Sequence, residues 1–158
     1  MRYTQGQIRE LLSISVDAFR TWRDTIPALA MHKGHAPTFT PGDVVAMAIV
    51  AELVRDFGAR VGTVGDRFDQ LFRECRGKSW LSLESCVVII EADSIRLVNV
   101  AIPYGLVCEA SAICVPCAPI VARLRAELTT SEAEQVQGAL QFPPASVSTQ
   151  VEQRGKRA

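Results

Sequence analysis

The stretch from Phe39 to Gly58 limits the fold more than any other, because it reads as a helix with little surface to give to water. Thr40 supplies an N-cap hydroxyl, Pro41 stands at N1 where a missing N–H costs nothing, and Asp43 lies beside the positive helix end. The pattern predicts a helix to about Phe57, closed by Gly58. Val44, Met47, Ala48, Val50, Ala51 and Val54 make it apolar on more than one side, and Glu52, Arg55 and Asp56 give the wet edge. Other elements must therefore wrap it. A 158-residue chain with 48% apolar content can do so, as one compact domain or two small ones.

Two helices are predicted ahead of it. Thr4 and Gln7 have the capping-box spacing, so a helix begins at about Gln5, with Ile8, Leu11 and Leu12 on one face and Arg9 and Glu10 toward water. Ser13-Ile14-Ser15 is a turn in which Ile14 packs between the helices and Ser15 caps the second one. On that helix Val16, Phe19 and Trp22 recur at spacing three and point inward, while Asp17, Ala18, Arg20, Thr21 and Arg23 point outward. A short polar face with two guanidinium groups and a hydroxyl suits a helix laid in the DNA major groove. Asp24 to Pro27 ends the helix. The segment Ala30 to Pro37 reads either as a solvated loop or as a small β-hairpin offering His32, Lys33 and His35 to phosphates. After Gly58 a further helix, about Val61 to Cys75, carries Val64, Phe68, Leu71, Phe72 and Cys75 on one face.

The order and spacing of these pieces resemble the MerR-type winged helix-turn-helix DNA-binding domain over residues 3–75. Arg20 falls on that family's arginine, Phe19 on its leucine and Trp22 on its second tyrosine, while Phe39 and Asp43 match the aromatic and acidic residues that open its third helix. Val54-Arg55-Asp56-Phe57-Gly58 resembles the join to its fourth. The chain departs from the pattern at Pro37, where many members carry a wing arginine, at Ala18, where threonine is usual, and in lacking a long dimerising helix after Cys75. The resemblance implies double-stranded DNA as partner, with Thr4, Ser15, Asp17, Ala18, Arg20, Thr21, Arg23, His32, Lys33 and His35 as candidate contacts.

The second half differs in kind. Cys86 to Glu91 and Ile95 to Ile102 are β-branched runs around Ala92-Asp93-Ser94, which predicts a β-hairpin. Leu106, Val107, Ala110, Ile113 and Cys114 fit either a helical stripe or a buried strand, and are read as a third strand. A helix follows from about Ala118 to Leu128, then Thr129-Thr130-Ser131 as a break, a short helix from Glu132 to Leu140, and a polar, disordered tail from Pro143. The fold class expected is α+β: a winged helix-turn-helix domain over 1–78, a small α+β domain for dimerisation or sensing over 79–142, and a tail over 143–158. The hairpin is β-branched on both faces, so one face can cover the local core while the other is expected to need a partner, either the rest of the chain or a second copy, and a homodimer is expected.

Formal net charge is zero, so DNA binding must come from a local patch rather than a global field. Met1 to Lys78 holds 11 Lys and Arg against 9 Asp and Glu, and the remainder 6 against 8. Five cysteines, without a signal peptide or membrane-spanning run, indicate reduced thiols in a cytoplasmic chain with no membrane partner. Cys114-Val115-Pro116-Cys117, with Cys108 and Cys86 nearby, has the spacing of a redox motif, yet its small apolar surroundings suit buried structural cysteines. No phosphate-binding glycine loop, zinc-protease HExxH or serine elbow occurs, and neither a cofactor, a metal nor an enzymatic role is expected. The function expected is sequence-specific transcriptional regulation. The alternatives are an excisionase-like architectural DNA-binding protein, a thiol or metal sensor, and a protein-interaction module.

Overall fold

The computed structural model of this chain describes residues 2–32, 36, 38–100 and 111–138. Five helices come first: α1 (Gln5–Leu11), α2 (Val16–Thr25), α3 (Pro27–Ala30), α4 (Pro41–Phe57) and α5 (Val61–Cys75). A short α6 (Trp80–Glu84) then leads into β1 (Cys86–Ile90), β2 (Ile95–Asn99) and β3 (Ile113–Pro116), and α7 (Cys117–Gly138) follows directly. The architecture is α+β: helices around a three-stranded antiparallel sheet of order β2-β1-β3.

α4 is the centre of the core, as its all-round apolar character requires. Residues 42–50 are buried without exception, and Phe19, Ile26, Leu29, Phe68, Leu71 and Phe72 from the helices around it belong to the same cluster. Gly58 closes the helix in the left-handed conformation (φ 65°), where a side chain would be strained. At the other end, a Cβ on Gly42 would collide with the carbonyl oxygen of Cys75, so only glycine lets α4 begin against the end of α5.

That meeting point joins the two halves of the chain. Asp43 is completely buried and accepts from the backbone N–H (2.8 Å) and hydroxyl (2.7 Å) of Thr40, while its own N–H donates to Thr40 Oγ1 (3.2 Å). Arg76, just past α5, reaches its other oxygen at 3.5 Å. Trp80 donates its indole N–H to the Pro41 carbonyl (2.8 Å) and stacks on Tyr3 at a centroid distance of 6.2 Å. Tyr3 is in turn bridged to Phe39 by two backbone hydrogen bonds of 2.9 and 3.2 Å.

On the sheet, Val88 lies between Leu97 and Val115, and Ile90 between Ile95 and Ile113, facing the helices. α7 covers the core with Ile120, Val121 and Leu124, and ion pairs Arg123–Glu52 (2.6 Å) and Arg125–Glu84 (3.0 Å) mark its contacts with α4 and α6. Buried residues on both sides of Lys78 form one continuous cluster, so that boundary is a change of element type and not a gap in packing.

Several local expectations change. The lead-in to the hairpin is a capped helical turn, with Ser79 Oγ accepting from the Ser82 N–H at 3.2 Å. β2 ends at Asn99, one residue before an N–H from Val100 that still meets the Ser85 carbonyl in the β1–β2 register (2.9 Å). Among the described residues the third strand covers Ile113–Pro116, sharing Ile113 and Cys114 with the expected one, and residues 101–110 lie outside the described part. α7 continues through Thr129-Thr130-Ser131 as one helix: Thr129 directs its hydroxyl to the Arg125 carbonyl (2.9 Å), a helix-compatible bond that removes the reason for a break. The hairpin face expected to need a partner already has Ile89 fully buried within one chain. The expected tail lies outside the described residues, as do Lys33, His35 and Pro37 of the expected wing.

Candidate nucleic-acid interface

The turn between α1 and α2 is tight. Leu12 N–H returns to the Ile8 carbonyl (2.9 Å), Ser13 to Glu10 (3.1 Å) and Ile14 to Arg9 (2.9 Å), while Ser13 takes a left-handed conformation at φ 52°. Ile14 is buried at this corner, and Ser15 Oγ accepts from the Ala18 N–H (3.1 Å) to start α2. Phe19 and Trp22 lock the inner side of α2 into the core, with Phe19 edge-on to Phe39 at 6.2 Å.

The outer side of α2 differs from expectation in ways that matter for chemistry. Asp17 and Arg20 are exposed, and Arg20 makes no hydrogen bond or ion pair among the described residues. Arg23 is 34% exposed and 3.8 Å from Asp24, an exposed pair too weak to withhold it from another anion. Thr21 is exposed, but its hydroxyl donates to the Asp17 carbonyl (3.0 Å). Ala18 is half-buried and packs against the core. Val16, read from periodicity as a core residue, is 49% exposed. The first turn of α2 overhangs the core, so position 16 meets solvent although positions 19 and 22 do not.

Of the contacts proposed at the helix starts, Thr4 and Ser15 have structural tasks. Thr4 closes a capping box, its hydroxyl facing the Gln7 side-chain oxygen (3.1 Å) and accepting from the Gln7 N–H (3.2 Å). His32 is half-buried, stacks on Phe39 at 4.2 Å and shares a hydrogen bond with Thr38 Oγ1 (2.9 Å). Burial pushes its pKa down from 6.5, opposed by Asp43 and assisted by Arg76 and Arg2, so the ring is mainly neutral at pH 7. His32 thus braces the segment before α4.

Sequence reasoning missed Arg2. It is exposed and donates to the Thr38 carbonyl (3.1 Å), which fixes a cation over the Tyr3–Phe39 bridge. The available signal was its place two residues ahead of the Thr4 cap of the first helix.

Three of the cysteines are placed against thiol chemistry. Cys75, Cys86 and Cys117 are buried, and Cys114 is exposed on β3. Burial, reinforced by the neighbouring thiols, pushes Cys75 and Cys117 up to about 12, and burial also raises Cys86. Cys117 does begin a helix, but desolvation outweighs the hydrogen bond from the Val88 backbone that favours its thiolate. Among the described residues no three His, Cys, Asp or Glu side chains are grouped to hold a metal ion. Cys108 lies outside them. No described helix is long and apolar enough to cross a membrane.

Comparison with protein-family profiles, with curated proteins and with solved structures finds no match to this chain.

Proposed function

We propose that this protein is a sequence-specific, double-stranded-DNA-binding transcriptional regulator resembling the MerR type, working as a homodimer in the cytoplasm. The observation that carries the reading is Arg20: an exposed guanidinium with no partner among the described residues, on a helix whose opposite side is fixed in the core. α2 enters the major groove, Arg20 and Arg23 meet phosphate or guanine, and Arg2 meets the backbone alongside. Since the whole chain has zero net charge, one copy offers few cations, and two linked copies gain through effective concentration.

The test is selection from random duplexes, then titration of the enriched site with wild type and Arg20→Ala over a salt series. The expected result is specific binding by a species that sediments as a dimer, with Arg20→Ala weakening affinity at least tenfold and making the salt slope shallower by about one. Equal affinity of both proteins for the enriched site would remove α2 from the interface. The zero net charge favours a second reading, a winged domain kept for protein contacts, and failure to enrich any duplex would select it.

A further inference from the structure

We infer that Val16 is a base-reading residue whose side chain takes the C5-methyl group of a thymine in the major groove. This rests on the DNA-binding function proposed above and assigns the specificity of that same helix. A singly exposed apolar residue is ordinary on a protein surface, so exposure alone decides nothing. The decisive point is what surrounds Val16. Val16, Arg20 and Arg23 stand at i, i+4 and i+7 and share one line along α2, an isopropyl group followed by two guanidinium groups.

The residues beside it are already committed. Ser15 uses its oxygen to cap Ala18, Thr21 donates its hydroxyl to Asp17, and Ala18 is turned partly into the core. That leaves Val16, Asp17 and Arg20 as the exposed groups on the first two turns whose side chains make no hydrogen bond among the described residues. Of the four bases only thymine presents a methyl group in the major groove, and an apolar side chain is its complement. A β-branched side chain in a helix keeps essentially one rotamer, so the isopropyl group is held ready and little freedom is lost on contact. Arg20, one turn further on, supplies the anion contact that fixes the register.

The experiment uses the full chain and the duplex enriched by selection, with each thymine replaced singly by uracil, which removes the methyl group and keeps the pairing. Wild type is expected to lose about fourfold in affinity at one thymine, the worth of one buried methyl group. Val16→Ser, at an exposed position, should remain folded, bind more weakly, and show no uracil penalty at that thymine. Arg20→Ala should bind more weakly with the penalty retained. Wild-type affinity indifferent to every uracil replacement, or the same penalty in Val16→Ser, would overturn the assignment to Val16 and leave DNA binding standing. Failure to bind any duplex would overturn both.

Discussion

Thr4 with Gln7 and Thr40 with Asp43 close the same reciprocal hydrogen-bonded ring at two helix starts, at opposite depths. The first lies at the surface, and the helix it begins leads into the exposed face of α2. The second is built on the completely buried Asp43 with Thr40 half-buried beside it; Asp43 is also approached by Arg76, and Trp80 and Cys75 close over the first turn of α4. Identical local chemistry thus serves two purposes. The buried ring holds the halves of the chain together, and the exposed one orients a surface element that remains free to meet a partner.

If this contrast is right, substitutions at the buried ring should move stability and those on α2 should move binding. Asp43→Ala is expected to have the largest effect, about 3 kcal/mol of lost stability in denaturant unfolding, because it strips acceptors from the Thr40 N–H and hydroxyl. Asp43→Asn, which keeps an acceptor, should lose less. Thr4→Ala at the exposed ring should cost about 1 kcal/mol. Equal losses at the two sites would break the comparison.

A smaller effect is expected from pH. The His32 pKa is lowered in the fold, so the neutral ring is favoured there and the corresponding stability is present above about 6.5. It is lost as pH falls through 6.5 toward the lower folded value. Asp43 opposes this shift, and Arg76 and Arg2 add to it. His32→Phe keeps an aromatic ring against Phe39 and removes the titration, so its stability should fall less than that of wild type between pH 7.5 and 5.5. Arg20→Ala should have the least effect on stability, within about 0.5 kcal/mol, as an exposed side chain without partners among the described residues.

The helix starts were legible because each is written in adjacent residues: Thr4 and Gln7, Ser15, and Thr40-Pro41-Gly42-Asp43 all cap as their spacing predicts. α4 was legible as the core because no narrow stripe could hold its apolar residues. Depth was not legible. Nothing near Asp43 in the sequence announces Arg76 or Trp80, which lie more than thirty residues away. Val16 misled for a related reason, since periodicity assigns a direction and cannot tell that the first turn of a helix projects past the core it points toward. Leu106 to Cys114 fitted two periods equally, and only pairing with β1 placed a strand at Ile113–Pro116. In the candidate interface, the outward residues of α2 were read correctly for Asp17, Arg20 and Thr21, whereas the commitment of the Thr21 hydroxyl to its own helix follows only from geometry.

The most direct test of the central claim is backbone amide chemical-shift mapping by NMR as the selected duplex is added to the full-length protein. The account predicts that the largest shifts fall on residues 15–23 and on Arg2, with the buried ring at Thr40 and Asp43 nearly unmoved. Shifts concentrated on β1 to β3 with α2 unchanged would contradict it.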